Sequence, residues 1–205
     1  MWNDEITGIQ KYLADEDSAG RFWYSRVNMN TGEKTGKNAE VITLYDAFFP
    51  AILALSGDLK RAEKYHASWN WLWNKYGLEP MVYNYKNNSP NYPAYDLNPE
   101  IIESAYYLYH FTKDNKYYER AAKYWSDIKQ YCRNEVAFAS IKDVQTMEKK
   151  DYMPTFFFAE TLKYLYLTFS NGKDFNLDDY VFTTEAHQFK KSSFDKEEIK
   201  IRLGI

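Results

Sequence analysis

Residues 101–111 read IIESAYYLYHF, an acid at the third place followed by an apolar, aromatic run at helical spacing. Two further stretches share this build: LYDAFFPAILAL at 44–55 and FFAETLKYLYLTF at 157–169. Their acids, Asp46, Glu103 and Glu160, follow one another at intervals of 57 residues. A turn signal closes each run: Ser56-Gly57-Asp58, Lys113-Asp114-Asn115 and Ser170-Asn171-Gly172. A fixed interval of this kind marks a repeated helical unit, one longer than the ~34 residues of a tetratricopeptide repeat. Repeats stacked around an axis carry equivalent positions to equivalent heights. The register therefore predicts three carboxylates at one end of a common interior.

The chain has 205 residues, long enough for one domain with a substantial core. Apolar residues make up 45%, including 20 Tyr, 13 Phe and 6 Trp, which excludes a disordered composition. A net charge of −3 with both signs interspersed offers no basic face, so nucleic acid is not an expected partner. Cys132 is alone, which excludes an internal disulfide and makes packing its expected role. The opening MWNDEITGIQKYLADEDS lacks the basic and apolar regions of a signal peptide, and no run approaches the ~20 apolar residues of a membrane span.

Around the three runs, residues 1–17 read as helix and 21–30 as an extended segment closed by Asn30-Thr31-Gly32. Leu44–Leu55 and Leu59–Tyr76 form a first helical hairpin, stopped by Gly77. Leu78–Leu97, with three prolines, reads as a long loop of the functional or mobile kind. Asn98 is the expected N-cap and Pro99 the first residue of a helix running to Thr112, paired with Lys116–Arg133. Val136–Thr146 has β character, 147–151 is a charged turn, and Thr155–Phe169 is the third apolar helix. Tyr180–Thr184 is extended. Residues 1–189 form the expected domain, and 190–205 a charged, frayed tail. In each pair the first helix is the more apolar, which suggests the inner and outer rings of an α/α toroid: an all-α fold with minor β-hairpins.

Acid chemistry is the only chemistry the side chains advertise. Glu100 and Glu103 share a helix face, where they can complement the helix dipole or serve a site. Glu160 lies in a helix apolar on most sides, where a carboxylate must be paired, hydrogen-bonded or wet. Asp46 is weakened by Pro50, which distorts its helix start. Phe156 can offer a ring face to a sugar or simply pack, and Thr184-Glu185 supply oxygens suited to a hard cation. His66, His110 and His187 lack metal-ligand spacing, and neither a phosphate loop nor a nucleophile elbow is present. Paired carboxylates serving glycoside hydrolysis remain.

The segments AFFPAILALSGDLKRA, LNPEIIESAYYLYHFTKDNKYY, IKDV, FFFAETLKYLYLTFS and DDYVFTTEAH, in this order, resemble the C-terminal half of family-47 glycoside hydrolases, the class I α-1,2-mannosidases. YPAYDLNPEIIES and VNMNTGEKTG look most like the ER degradation-enhancing α-mannosidase-like branch. The resemblance implies an (α/α)7 barrel, of which about three hairpins are present, plugged by a β-hairpin. It implies calcium-dependent, inverting removal of mannose from high-mannose N-glycans of glycoproteins in the ER and Golgi lumen. It makes Glu100 the general base, places Glu103, Phe156, Glu160 and Glu185 in the −1 sugar pocket, and makes Thr184 the calcium ligand.

This sequence departs from the family's pattern at four places. Asn98 stands for an arginine before Pro-Glu, Thr43-Leu44 for Asp-His or Asp-Ser, Pro154-Thr155 for Glu-Ser, and Tyr152 for an arginine. The family's general acid lies upstream of the matched stretch, so the chain supplies a base without a matched acid. Half a barrel also exposes the apolar sides of its inner helices. Three functions follow: part of a mannosidase completed by an N-terminal half or partner chain, a non-catalytic mannose-binding module, or a vestigial α/α scaffold that binds protein.

Overall fold

The computed structural model describes residues 2–34, 36 and 38–204. Met1, Thr35 and Ile205, which belong to the expected first helix, the 27–36 motif and the tail, lie outside the described residues. Helix α1 (Trp2–Tyr12) ends sooner than the sequence predicts, because Ala14–Glu16 (β1) turns back on Phe22–Tyr24 (β2) as an antiparallel hairpin. Asp17 makes the turn. Its carboxylate accepts from the Ala19 and Arg21 amides, from Arg21 Nε and from Trp23 Nε1, a donor set that a continuing helix would not present.

The first apolar run splits in two. A 3₁₀ turn at Leu44–Phe48 follows β3 (Val41–Thr43), and α2 (Phe49–Leu55) begins with Pro50 in its first turn, where a missing N–H costs nothing. Helix α3 (Leu59–Tyr76) is capped by Asp58, whose side chain accepts from the Arg61 amide, and stopped by Gly77 at φ 84°. The 78–97 segment is not a structureless loop. Its strands β4 (Val82–Asn84) and β5 (Ser89–Tyr92) join β3 in an antiparallel sheet ordered β3-β4-β5, with Ile42 opposite Tyr83. Pro90 is tolerated because β5 is an edge strand.

Helices α4 (Glu100–Thr112) and α5 (Asn115–Tyr131) form the second hairpin. Residues 147–151 are not simply a turn: within them β7 (Glu148–Lys150) pairs back on β6 (Ser140–Asp143). The third apolar run begins as a π-helical segment, Phe157–Leu162, and becomes α6 (Lys163–Ser170). A last hairpin, β8 (Tyr180–Phe182) with β9 (Gln188–Lys190), precedes α7 (Lys196–Leu203). Within the tail, α7 is capped by Asp195 and laced by Lys200–Glu197 and Arg202–Glu198 pairs, and it buries no side chain.

The helices lie in two layers. α2, α4 and α6 are neighbours in that order, α3 packs on α2 and α4, and α5 on α4 and α6. Between α3 and α5 the bonds Tyr117–Glu63, Arg120–His66, Tyr124–Asn70 and Trp73–Asp127 all join residues 54 apart, so the two outer helices run parallel and in register. In the inner layer, Ser104 Oγ donates to the Ala47 carbonyl at 2.6 Å across one 57-residue interval. An aromatic core that includes Trp23, Tyr65, Trp69, Trp73, Tyr95 and Tyr124 fills the space. Cys132 packs within it, fully buried.

Exposed large apolar side chains separate the layers. Tyr45, Phe48, Leu55, Phe111, Phe158 and Tyr166 all lie on the inner-layer runs, and no large apolar residue of α3 or α5 is exposed. Ser104→Ala removes a buried inter-repeat hydrogen bond, so the denaturant midpoint should fall by an amount equivalent to about 1–2 kcal/mol. Asn115→Ala, whose amide bonds only exposed Glu119, should leave that midpoint unchanged.

Candidate active site

The N-terminus of α4 carries Glu100 and, one turn on, Glu103. Pro99 rather than Asn98 occupies the cap, and its carbonyl accepts from the Glu103 amide at 2.8 Å. Asn98 is buried instead. Its backbone carbonyl accepts from the Tyr95 hydroxyl at 3.1 Å, while its Oδ1 has no partner. Leu97, at φ 63°, turns the chain so that its carbonyl accepts from Thr161 Oγ1 at 2.6 Å. That bond ties the approach to Glu100 to the π-helical segment bearing Glu160. π turns re-aim side chains and recur at functional sites.

Glu103 Oε1 accepts from the Tyr164 hydroxyl at 2.5 Å. Lys163 Nζ, almost fully buried, donates to the Thr183 carbonyl at 3.0 Å and fixes the turn that joins β8 and β9. Thr184 and Glu185 stand exposed on that turn, and Phe156 is half-buried just ahead of the π segment. The fold therefore brings Glu100, Glu103 and Glu160 within electrostatic reach of one another, with Glu185 acting on Glu160 and Lys163.

Burial pushes the Glu100 carboxyl up to about 8, and the charges of Glu160 and Glu103 add to this; its own helix amide and Asn98 oppose it. Burial also raises Glu103, against the hydrogen bond from Tyr164 and the ammonium of Lys163. Glu160 is raised by burial and by Glu185, against Lys163. Lys163 itself is pulled down by burial, although three carboxylates favour its charge.

Asp46 does not join this group. Its Oδ2 accepts from the Thr43 amide at 2.8 Å and caps its own 3₁₀ turn, because Pro50 starts α2 a turn late. It lines a different cavity of about 870 Å³, bounded by α1 and residues 24–32. His66 is buried and pushed down to about 3 by desolvation and by Arg120, which makes it a core residue. Two participants escaped the sequence reading, Lys163 and Tyr164. Their signal was available: a lysine inside an apolar helix, three residues from an acid.

No ring of three or more His, Cys, Asp or Glu suited to a metal occurs among the described residues. A cation at Thr184 would thus take few protein ligands, its hydroxyl and carbonyl oxygens, beside the oxygen-rich Glu160 and Glu185. Such a donor set fits calcium, which accepts water and sugar hydroxyls in a flexible shell.

Folded-state raising of a carboxyl stabilises fully below its unfolded value near 4.5 and is lost as pH climbs through the folded value near 8. Glu100→Gln, permanently neutral, should therefore flatten the decline in Tm between pH 5 and 9 and melt above the wild type at pH 9. Lys163→Met should speed amide hydrogen exchange across residues 180–190 while leaving α3 protected.

The glycosyl hydrolase family 47 profile matches residues 1–191. The chain is 35% identical over 189 residues to "Alpha-mannosidase I MNS5" of Arabidopsis thaliana, covering 91% of this chain and 31% of that protein. With human "ER degradation-enhancing alpha-mannosidase-like protein 2" it shares 32% identity, over 91% of this chain and 35% of the other. The α-1,2-mannosidase from Trichoderma reesei superposes with a TM-score of 0.74 at 27% identity, covering 92% of this chain and 46% of that one. The chain thus spans about a third of the length of these two curated relatives. Over nearly its whole length the chain belongs to glycosyl hydrolase family 47.

Proposed function

We propose that this chain forms the C-terminal part of a calcium-dependent, inverting α-1,2-mannosidase that trims high-mannose N-glycans of glycoproteins in the ER lumen. The observation that carries the reading is the half-buried Glu100, one carboxylate oxygen sealed from water, set among Glu103 and Glu160 and pushed up to about 8. A general base works best when its own titration lies near the working pH. Glu100 would draw the proton from an attacking water as that water closes on the anomeric carbon. Glu103, held by Tyr164, and Glu160, within the field of the Lys163 ammonium, would receive sugar hydroxyls, with the ring of Phe156 against the sugar's apolar face and Glu185 at the rim.

Calcium bound at Thr184 would orient sugar hydroxyls and water through oxygen coordination. This chain's part is to hold the Thr184 turn, through Lys163 and the Thr183 carbonyl. Inversion needs a second carboxylic acid ~6.5–9.5 Å from the base to protonate the leaving oxygen. That acid would come from the remainder of an (α/α)7 barrel, whose wall would cover the exposed apolar residues of the inner helices.

A second reading, glycan binding without hydrolysis, draws on Asn98. A buried neutral amide replaces a guanidinium there and leaves its Oδ1 unpartnered. One variant separates the two. In the complete protein, Glu100→Gln should lower mannose release roughly 10²–10⁴-fold while glycan binding persists. Wild-type release by that variant removes Glu100 from the base role, and a wild-type protein that binds glycan without releasing mannose selects the second reading. Chelation of calcium should weaken glycan binding measured by calorimetry.

A further inference from the structure

Glu79 lies in the turn between Gly77, which ends α3, and Pro80, just before β4. Its side chain has no exposed surface, and neither carboxylate oxygen has a hydrogen-bond partner. The donors around it are already committed. The Tyr124 hydroxyl donates to Asn70 Oδ1 at 2.8 Å, and the Tyr95 hydroxyl donates to the Asn98 carbonyl at 3.1 Å. Trp73, in ring contact with both tyrosines, gives its indole proton to Asp127, which Lys123 also holds. A tyrosine or an indole has one proton to give. Cys132, which acts on Tyr95, is buried and held in its neutral form by desolvation.

An ionised carboxylate sealed from water with neither a donor nor a cation carries a penalty of several kcal/mol, which a single bound proton removes. Once protonated, Glu79 becomes a donor in search of an acceptor. Among the described residues, the buried oxygens left without a partner include Glu100 Oε2, Asn98 Oδ1 and Ser140 Oγ, and of these only that of Glu100 belongs to a group that acts on Glu79. Glu100 is the charged group that acts on Glu79, driving its carboxyl further up after burial has already done so. Glu100 in turn faces Glu103 and Glu160 on its open side.

We propose that Glu79 is a neutral carboxylic acid at physiological pH and a positioning residue, its hydroxyl supplying the hydrogen bond that Glu100 Oε2 lacks. One oxygen of Glu100 is then anchored from beneath, which leaves the other to face the cleft. Because Glu79 is already sealed within this chain, a covering wall elsewhere would not change its neighbours. The importance given to Glu100 rests on the proposed function, whereas the proton count on Glu79 does not.

The test is a pH titration of the full chain carrying ¹³Cδ-labelled glutamate, with signals assigned through Glu79→Gln and Glu100→Gln. At pH 7 two glutamate carbons should sit at or near the protonated position, one that vanishes in Glu79→Gln and one, already titrating, that vanishes in Glu100→Gln. The amide of Glu79→Gln still donates, so the Glu100 midpoint should stay within a few tenths of a pH unit. Glu79→Met offers no donor and should raise that midpoint by about one unit. A Glu79 carbon at the ionised position at pH 7 overturns the proposal. So does a fall of one unit or more in the Glu100 midpoint in Glu79→Gln, since only removal of a negative neighbour produces it. If Glu79→Met does not fold, the wild type and Glu79→Gln decide between these outcomes. None of these readings uses mannose release, so a chain without hydrolytic activity still answers the question.

Discussion

Register between repeats is the constraint on which the molecule depends. Four side-chain bonds link α3 to α5 at a constant separation of 54 residues, and Ser104 bonds back across 57 to Ala47. Helices locked at a common height bring particular side chains level. Glu103 meets the Tyr164 hydroxyl, and Thr161 reaches the Leu97 carbonyl, only because α4 and α6 stand side by side in this way. A slip of one helical turn would move a partner ~5.4 Å along the axis and break every one of these contacts. The grouping of Glu103 with Glu160 therefore follows from the repeat geometry, and the β8–β9 turn adds Thr184 and Glu185 to it.

Crowding several carboxylates into a partly buried space is unfavourable, and the chain meets the cost with different devices at different acids. Glu100 has the free amides of a helix start, which favour negative charge. Glu103 has a phenol hydrogen bond and Glu160 a nearby ammonium. Lys163 serves two purposes, because it also anchors the β8–β9 turn through the Thr183 carbonyl. Its positive charge thus couples the chemistry of the acids to the placement of Thr184 and Glu185.

The long elements were readable from the sequence because each has a period and punctuation. α3 is announced by Asp58 and stopped by Gly77, and the apolar runs repeat their own spacing. The three- and four-residue strands were not readable, since so few residues cannot show alternation, and β4 and β5 lie among prolines that argue for loop. Asp46 shows the limit of register as an argument. Its position repeats at the interval of Glu103 and Glu160, yet Pro50 delays α2 and turns the acid into a local cap. Glu100 to Glu160 could be singled out as acids in apolar runs. Lys163 and Tyr164 sat in the same run, but their partners come from Thr183 and Glu103, and sequence gives no direct sight of such distant contacts.

The distribution of exposed apolar surface runs opposite to what a free-standing helical layer would choose. Outer helices α3 and α5 expose no large apolar side chain, whereas the inner runs expose six. A wall laid over that inner layer would bury those groups and also strip water from the acids that open toward it. Each carboxylate would then be harder to ionise, and Glu103, Glu160 and Glu185 would share the Lys163 ammonium. Desolvated like charges are tolerated where opposite charge arrives with the wall, where a cation settles among them, or where a bound proton neutralises one. Closure of such a layer would thus need positive charge at the acidic end, from arginines on the covering surface, a bound divalent ion or bound protons. The apolar surface that favours closure and the acid cluster that resists it make that positive charge a condition of assembly as well as of chemistry.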